Sequence, residues 1–161
     1  MRKILNYKCL FFALFISLSM HQLYAAEAIV EDIPLNFGTI ALIDNSAQYT
    51  LQITMVGGTV NDPQIVIISP GNAGQYSLSG FPANTLVNIG ITTATGFTQL
   101  AGFTNPASEQ FQVLNFSTTT PVNTDSNGEK TIQVGATLKT SGVGSYMDAM
   151  YIIFMNVTVS Y

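Results

Sequence analysis

The chain ends on the stretch Tyr146-Met-Asp-Ala-Met-Tyr-Ile-Ile-Phe-Met-Asn-Val-Thr-Val-Ser-Tyr161. Apolar side chains recur in it at every second position, which places them on one face of an extended strand. Asn156, Thr158 and Ser160 occupy the opposite face. The pattern predicts a terminal β-strand that needs a partner strand to cover its apolar face. We expect its strand-pairing edge to consist of Tyr151, Ile153, Met155, Val157, Val159 and Tyr161.

The first residues have the features of a secretory signal peptide. Arg2, Lys3 and Lys8 are basic, an apolar run follows at residues 9–20, and small residues lie at the expected cleavage point. A membrane-spanning helix needs about 20 apolar residues, and this run is shorter. We therefore expect residues 1–25 to be removed and residues 26–161 to form one exported domain without a membrane span. Its expected location is the periplasm, the cell surface or the extracellular space.

Loss of the signal peptide also removes Cys9 and His21, the only cysteine and histidine of the chain. Without them, the exported domain can form no disulfide, no His- or Cys-ligated metal site and no catalytic centre based on Cys or His. Residues 123–128 resemble the start of a calcium-binding loop, but Val134 stands where the closing Glu belongs. This segment is interpreted as a β-turn. The sequence predicts no enzyme, no catalytic residue, no metal and no cofactor.

The charge of the exported part is strongly acidic. After residue 25 only Lys130 and Lys139 are basic, against all nine carboxylates of the chain, so the net charge is −7. This balance gives nucleic-acid binding no electrostatic basis. With 9% charged and 47% hydrophobic residues the chain is also unlike a disordered protein.

Short alternating segments with turn residues between them recur along the rest of the chain. The clearest are residues 47–56 and 130–138, whereas residues 64–69 form a continuous apolar run that we expect to be covered on both faces. Residues 94–109 are expected to be a long loop. About eight short strands without helical periodicity predict an all-β fold, either a sandwich or a barrel.

Four segments, taken together, resemble one bacterial secreted family, the domain of unknown function 4402. They are Leu35-Asn-Phe-Gly-Thr-Ile40, Gln75-Tyr-Ser-Leu-Ser-Gly-Phe-Pro82, Thr131-Ile-Gln-Val-Gly-Ala-Thr-Leu138 and Asn156-Val-Thr-Val-Ser-Tyr161. This family is similar in turn to spore-coat-U-like proteins and to archaic chaperone–usher pilin subunits. The resemblance implies an immunoglobulin-like β-sandwich that acts as a fimbrial subunit and has no known enzymatic activity.

The first functional hypothesis is a structural or adhesive surface subunit, part of a pilus, that assembles by β-strand addition. The expected partners are like subunits and a periplasmic chaperone, and Ala28 and Val30 are the best anchors of a possible donor segment. Two alternatives are retained. A small outer-membrane β-barrel would also end on an aromatic residue, and the other alternative is a secreted carbohydrate-binding sandwich, for which the sequence singles out no residue. Phe97, Phe103 and Tyr146 could stack on sugars as the binding face of an adhesin, but core packing is the preferred interpretation of all three.

Overall fold

The computed structural model describes residues 26–100 and 109–161. The expected signal peptide and Phe103 lie outside these residues. Every regular element in the described part is a β-strand, which confirms the all-β prediction. The strands are β1 (Ala28–Ile33), β2 (Thr39–Leu42), β3 (Thr50–Ile53), β4 (Thr59–Asn61), β5 (Ile65–Ser69), β6 (Gly74–Ser79), β7 (Leu86–Thr93), β8 (Gln99–Leu100), β9 (Gln112–Thr118), β10 (Val122–Asn123), β11 (Lys130–Lys139), β12 (Tyr151–Ile152) and β13 (Met155–Ser160).

The strands form four antiparallel sheets in a sandwich-like arrangement. The largest sheet has the order β1-β6-β11-β3-β4, and β9 pairs with β11 in addition. Val134 is paired with Gly74 of β6 and also with Thr118 of β9, so β9 lies on the opposite edge of β11. The smaller sheets are β10-β7-β13, β8-β12 and β2-β5.

Strand β11 belongs to both hydrophobic cores of the domain. Its first half pairs with β6 and its second half with β3. Ile132 and Val134 are buried in the first core, whereas Ala136 and Leu138 are buried in the second. The first core consists of Tyr76, Leu78, Phe81, Val87, Ile89, Val122, Ile132 and Val134, and the second of Leu51, Ile65, Phe111, Val113, Ala136 and Leu138.

Gly135 lies where the edge of β11 passes from β6 to β3. A Cβ atom at this position would be 2.7 Å from the backbone nitrogen of Met55 and from the carbonyl carbon of Thr54, and nearer still to the carbonyl oxygen of Ile53. These neighbours are backbone atoms, so the contact could be relieved only by separating the strands. Glycine is therefore the residue that allows β3 to reach its position beside β11.

The apolar run at residues 64–69 is covered on one face only, so the expectation of two covered faces is wrong. Ile65 is buried, whereas Val66 is 45% and Ile68 is 66% exposed. The reason is that β5 pairs only with β2 in a two-stranded sheet, whose outer face has no layer of the described chain over it.

Two of the predicted loops contain defined structure. Residues 94–109, expected to be a loop, include β8.

Asp125 opens the turn before β11 and accepts hydrogen bonds from the backbone N–H groups of Asn127 and Glu129, at 2.8 and 2.9 Å. Gly128 has a φ of 76°, and a Cβ there would collide with the carbonyl oxygen of Phe81. The carboxylate of Asp125 thus holds a turn, in agreement with the β-turn interpretation.

Replacement of Gly135 by alanine tests the close approach of β3 to β11. We expect Gly135→Ala to lower the free energy of unfolding by about 2 kcal/mol, because the added methyl group overpacks against backbone. Urea unfolding followed by circular dichroism measures the loss. Gln133→Ala, on the exposed face of the same strand, serves as the control and should change stability by less than about 0.5 kcal/mol. Equal stability of the two variants would contradict the proposed role of the glycine.

Candidate strand-pairing edge

The terminal strand finds its partner within the chain. β13 pairs antiparallel with β7 from Met155 opposite Thr93 to Ser160 opposite Asn88. β13 is the last strand of its sheet, so its second edge carries no strand from the part of the chain that the structure describes. The predicted terminal strand is present over Met155–Ser160, and one of its two edges is open. Its expected first part, Tyr151 and Ile152, forms a separate short strand in another sheet.

The backbone of β13 has hydrogen-bonding groups on this open edge. In an antiparallel pair, opposite residues alternate between those that exchange hydrogen bonds and those whose N–H and C=O groups point away from each other. The Ile89 N–H donates to the hydroxyl of Thr120 at 2.9 Å, away from β13, so Ile89 and Val159 form a pair of the second kind. The same alternation points the backbone groups of Val157 and Met155 outward.

The side chains of the same three residues face the first core without being fully covered. Met155, Val157 and Val159 are partly buried and pack against the core formed by β6, β7, β10 and β11. Asn156, Thr158 and Ser160 are exposed on the opposite face. The open edge therefore combines outward backbone groups with incompletely buried apolar side chains, as a strand-accepting site requires.

The remaining residues of the predicted edge have different environments. Tyr151 belongs to β12, opposite Leu100, and packs with Ile153 against the second core. Tyr161 is 60% exposed, contacts Phe81 edge to face at a centroid distance of 6.1 Å, and donates a hydrogen bond to Glu27. The structure thus divides five of the six residues between the two cores and leaves Tyr161 largely exposed.

The aromatic residues considered for sugar stacking are not alike. Tyr146 stacks on Phe111 at 4.2 Å, and Tyr151 contacts Phe111 edge to face at 4.9 Å. The hydroxyl of Tyr146 donates to the backbone oxygen of Gln110 at 3.0 Å. Tyr146 is therefore occupied in packing, whereas Phe97 is exposed.

Strand β1 pairs with β6 of its own chain, and the register decides which side chains face inward. Ile29 is opposite the buried Leu78 and Glu31 is opposite Tyr76, so Ile29 and Glu31 share the core-facing side of the sheet. Ala28 and Val30, the donor anchors suggested by the sequence, lie opposite Ser79 and Ser77 on the other side.

Three hydrogen bonds attach β1 and its N-terminal flank to the neighbouring strands. The Tyr76 hydroxyl donates to Glu31 Oε1 at 2.9 Å, and the Ser77 hydroxyl donates to Asp32 Oδ2 at 2.6 Å. Tyr161 donates to Glu27 and so joins the end of β13 to the start of β1. We use the name edge groove for the two end strands that this contact joins, with Ile29 and Glu31 on the core-facing side of β1 and Met155, Val157 and Val159 on that of β13.

The described residues offer little other chemistry. They contain no group of three or more His, Cys, Asp or Glu side chains that could hold a metal ion. Nor do residues 26–100 and 109–161 include a helix long and apolar enough to cross a membrane. No protein-family model, curated protein or solved structure matches the chain. The class that fold and site define is a β-sandwich-like domain with an open terminal strand.

The pKa of the Tyr76 phenol is raised mainly by burial, and the hydrogen bond to Glu31 is the next largest cause. In the unfolded chain a tyrosine titrates near pH 10. The pKa of Tyr76 is higher in the folded than in the unfolded chain, so protonated Tyr76 stabilises the fold. This contribution to the free energy of unfolding is complete below the unfolded pKa and is lost as the pH rises above it. The attachment of β1 to β6 should therefore weaken in strongly alkaline solution.

Tyr76→Phe tests this linkage. At neutral pH we expect a loss of about 1 kcal/mol, because one hydrogen bond is removed. Above about pH 10 the stability of the variant should fall less steeply than that of the unaltered protein, since one linked ionisation is missing. Thermal unfolding across this pH range measures both effects. Ser77→Ala removes the adjacent hydrogen bond without removing an ionisable group and should retain the steep alkaline fall. An equally steep fall in Tyr76→Phe would exclude Tyr76 as its source.

Proposed function

We propose that this protein is a non-enzymatic, exported structural or adhesive subunit, of the fimbrial type, whose edge groove accepts a β-strand from a partner protein. The observation that carries the proposal is the open edge of β13. Its three residues with outward backbone groups, Met155, Val157 and Val159, are also the three whose apolar side chains remain partly uncovered over the first core.

An incoming strand would pair with the outward backbone groups of β13 and would also cover its partly exposed apolar side chains. Its backbone would hydrogen-bond to the outward N–H and C=O groups of β13, and each such bond contributes about 1 kcal/mol. Its alternate side chains would cover the apolar surface over the first core, at about 25 cal/mol for each Å² removed from water. Backbone pairing supplies affinity in this mode, and the side-chain contacts supply specificity.

The resemblance to the 4402 family and to pilin subunits supports the same proposed function. On this proposal the protein works in the periplasm or at the cell surface, and its candidate partners are like subunits and a periplasmic chaperone. The acidic, sparsely charged composition after residue 25 suits an exported protein that does not bind nucleic acid.

A proline at position 157 tests the open edge. The Val157 N–H points away from β7, so Val157→Pro removes a donor to the partner without breaking the ladder to β7. We expect the free energy of unfolding to change by less than about 1 kcal/mol, whereas multimers resistant to SDS, or a co-purifying chaperone, should disappear. Gel electrophoresis of the protein expressed in its native host gives the readout.

Two variants serve as controls for this experiment. Val157→Ala keeps the N–H and should keep part of the assembly. Thr158→Pro removes an N–H that points toward β7 and should destabilise the fold itself. A protein that remains a stable, soluble monomer in its own host would contradict the proposal, as would recovery in the detergent-soluble outer membrane.

A further inference from the structure

The rim of the edge groove that β1 provides is acidic. Glu27, Ile29 and Glu31 alternate along the chain, and Ile29 and Glu31 lie opposite residues of the first core, so all three are on the groove side. The hydrogen bond from Tyr161 to Glu27 confirms that this carboxylate reaches toward β13. Any strand that enters the groove passes two carboxylates.

Neither lysine of the exported part lies on the rim, although Lys130 is opposite Leu78 and so shares the side of the sheet on which Ile29 lies. Lys130 and Lys139 are both in β11, and β6 separates β11 from β1. The pKa of the Asp125 carboxyl is lowered mainly by backbone hydrogen bonds from Glu129 and Asn127, and Lys130 contributes to the same shift by its charge.

The two carboxylates retain acceptor sites for a cation. Tyr161 and Tyr76 each donate to the Oε1 atom, of Glu27 and Glu31 respectively. A carboxylate accepts about four hydrogen bonds through its two oxygens. A Lys or Arg side chain from a partner strand can therefore bind either carboxylate while the tyrosine contacts remain.

We propose that the occupant of the edge groove is a strand of a different protein, with alternating apolar residues and a Lys or Arg on the face that meets Glu27 and Glu31. The inference rests on the proposed strand-accepting function and selects between its candidate partners. A second copy of this chain is the poorer match, because its own segment at residues 26–33 carries Glu27, Glu31 and Asp32 and no basic residue. Like charges brought together at an interface oppose binding.

Synthetic peptides test the charge preference on the intact exported protein. Three peptides share the same alternating apolar residues and carry Lys, Gln or Glu at the positions that would face the two carboxylates, and a fourth has the sequence of residues 26–33. Fluorescence anisotropy at low and high salt measures their dissociation constants. We expect the Lys peptide to bind about tenfold more tightly than the Gln peptide and the Glu and 26–33 peptides to bind most weakly. Added salt should reduce the difference.

Two double variants test whether the preference for the Lys peptide arises from Glu27 and Glu31. Glu27→Gln with Glu31→Gln retains the acceptors for both tyrosines and should abolish the preference for Lys over Glu. Glu129→Gln with Asp148→Asn removes the same number of charges outside the groove and should preserve it. Circular dichroism verifies that both fold.

The outcomes separate the inference from the function beneath it. Equal binding of all four peptides, tight binding of the 26–33 peptide, or an unchanged preference in the Glu27 and Glu31 variant would overturn the charge inference and leave strand acceptance intact. Binding of none of the peptides to the unaltered protein would overturn strand acceptance, and the charge inference with it.

Discussion

The backbone pairing of β11 along both of its edges is the interaction on which the rest of the domain depends. On one edge β6 and β3 follow each other, and β9 occupies the other. Because one strand contributes to both cores, neither core can form without it. The close approach at Gly135 is what allows two partner strands to share one edge. β1 in turn is placed by β6, and β13 by packing over the core that β6 and β11 line, so the edge groove inherits its geometry from this strand.

The open edges of the domain differ in their local protection. At β5 the carbonyl oxygen of Ile65 accepts a hydrogen bond from the side chain of Asn61 at 2.7 Å, and its N–H donates to the backbone oxygen of Asp62 at 3.0 Å. A second strand cannot pair there without displacing these groups, which is one way in which proteins prevent edge-to-edge association. At β13 the outward groups of Val157 and Val159 have no such cover from the described part of the chain. This contrast favours β13 as the edge that meets a partner.

The sequence predicted the strands in which apolar residues stand only at every second position. In residues 130–138 the alternation determines both the strand and its inner face, and the structure agrees. In the terminal stretch it does so for Met155–Ser160, whereas the predicted single strand from Tyr151 to Tyr161 is interrupted at residues 153–154. The alternation does not do so at β1, where Ala28, Ile29, Val30 and Ile33 place apolar residues at both odd and even positions; there the pairing with β6 decides that Ile29 faces inward. A register is a property of two strands, and a shift of one residue exchanges the faces. The sequence did not predict the acidic rim of the groove for the same reason, because the pattern of residues 26–33 does not tell which side of the sheet Glu27 and Glu31 face. For the run at residues 64–69, continuous apolarity does not tell whether a second layer exists to cover it.

Strand acceptance also links the stability of the domain to its assembly. Met155, Val157 and Val159 leave part of the first core in contact with water, so the isolated subunit lacks some of the burial that a closed sandwich would have. A strand that binds only the folded chain raises its stability in proportion to the logarithm of its concentration relative to its dissociation constant. On the proposed function, the partner is therefore part of what folds the subunit. The contact between Tyr161 and Glu27 lies at one end of the same groove, so a cationic partner strand would share Glu27 with the last residue of the chain.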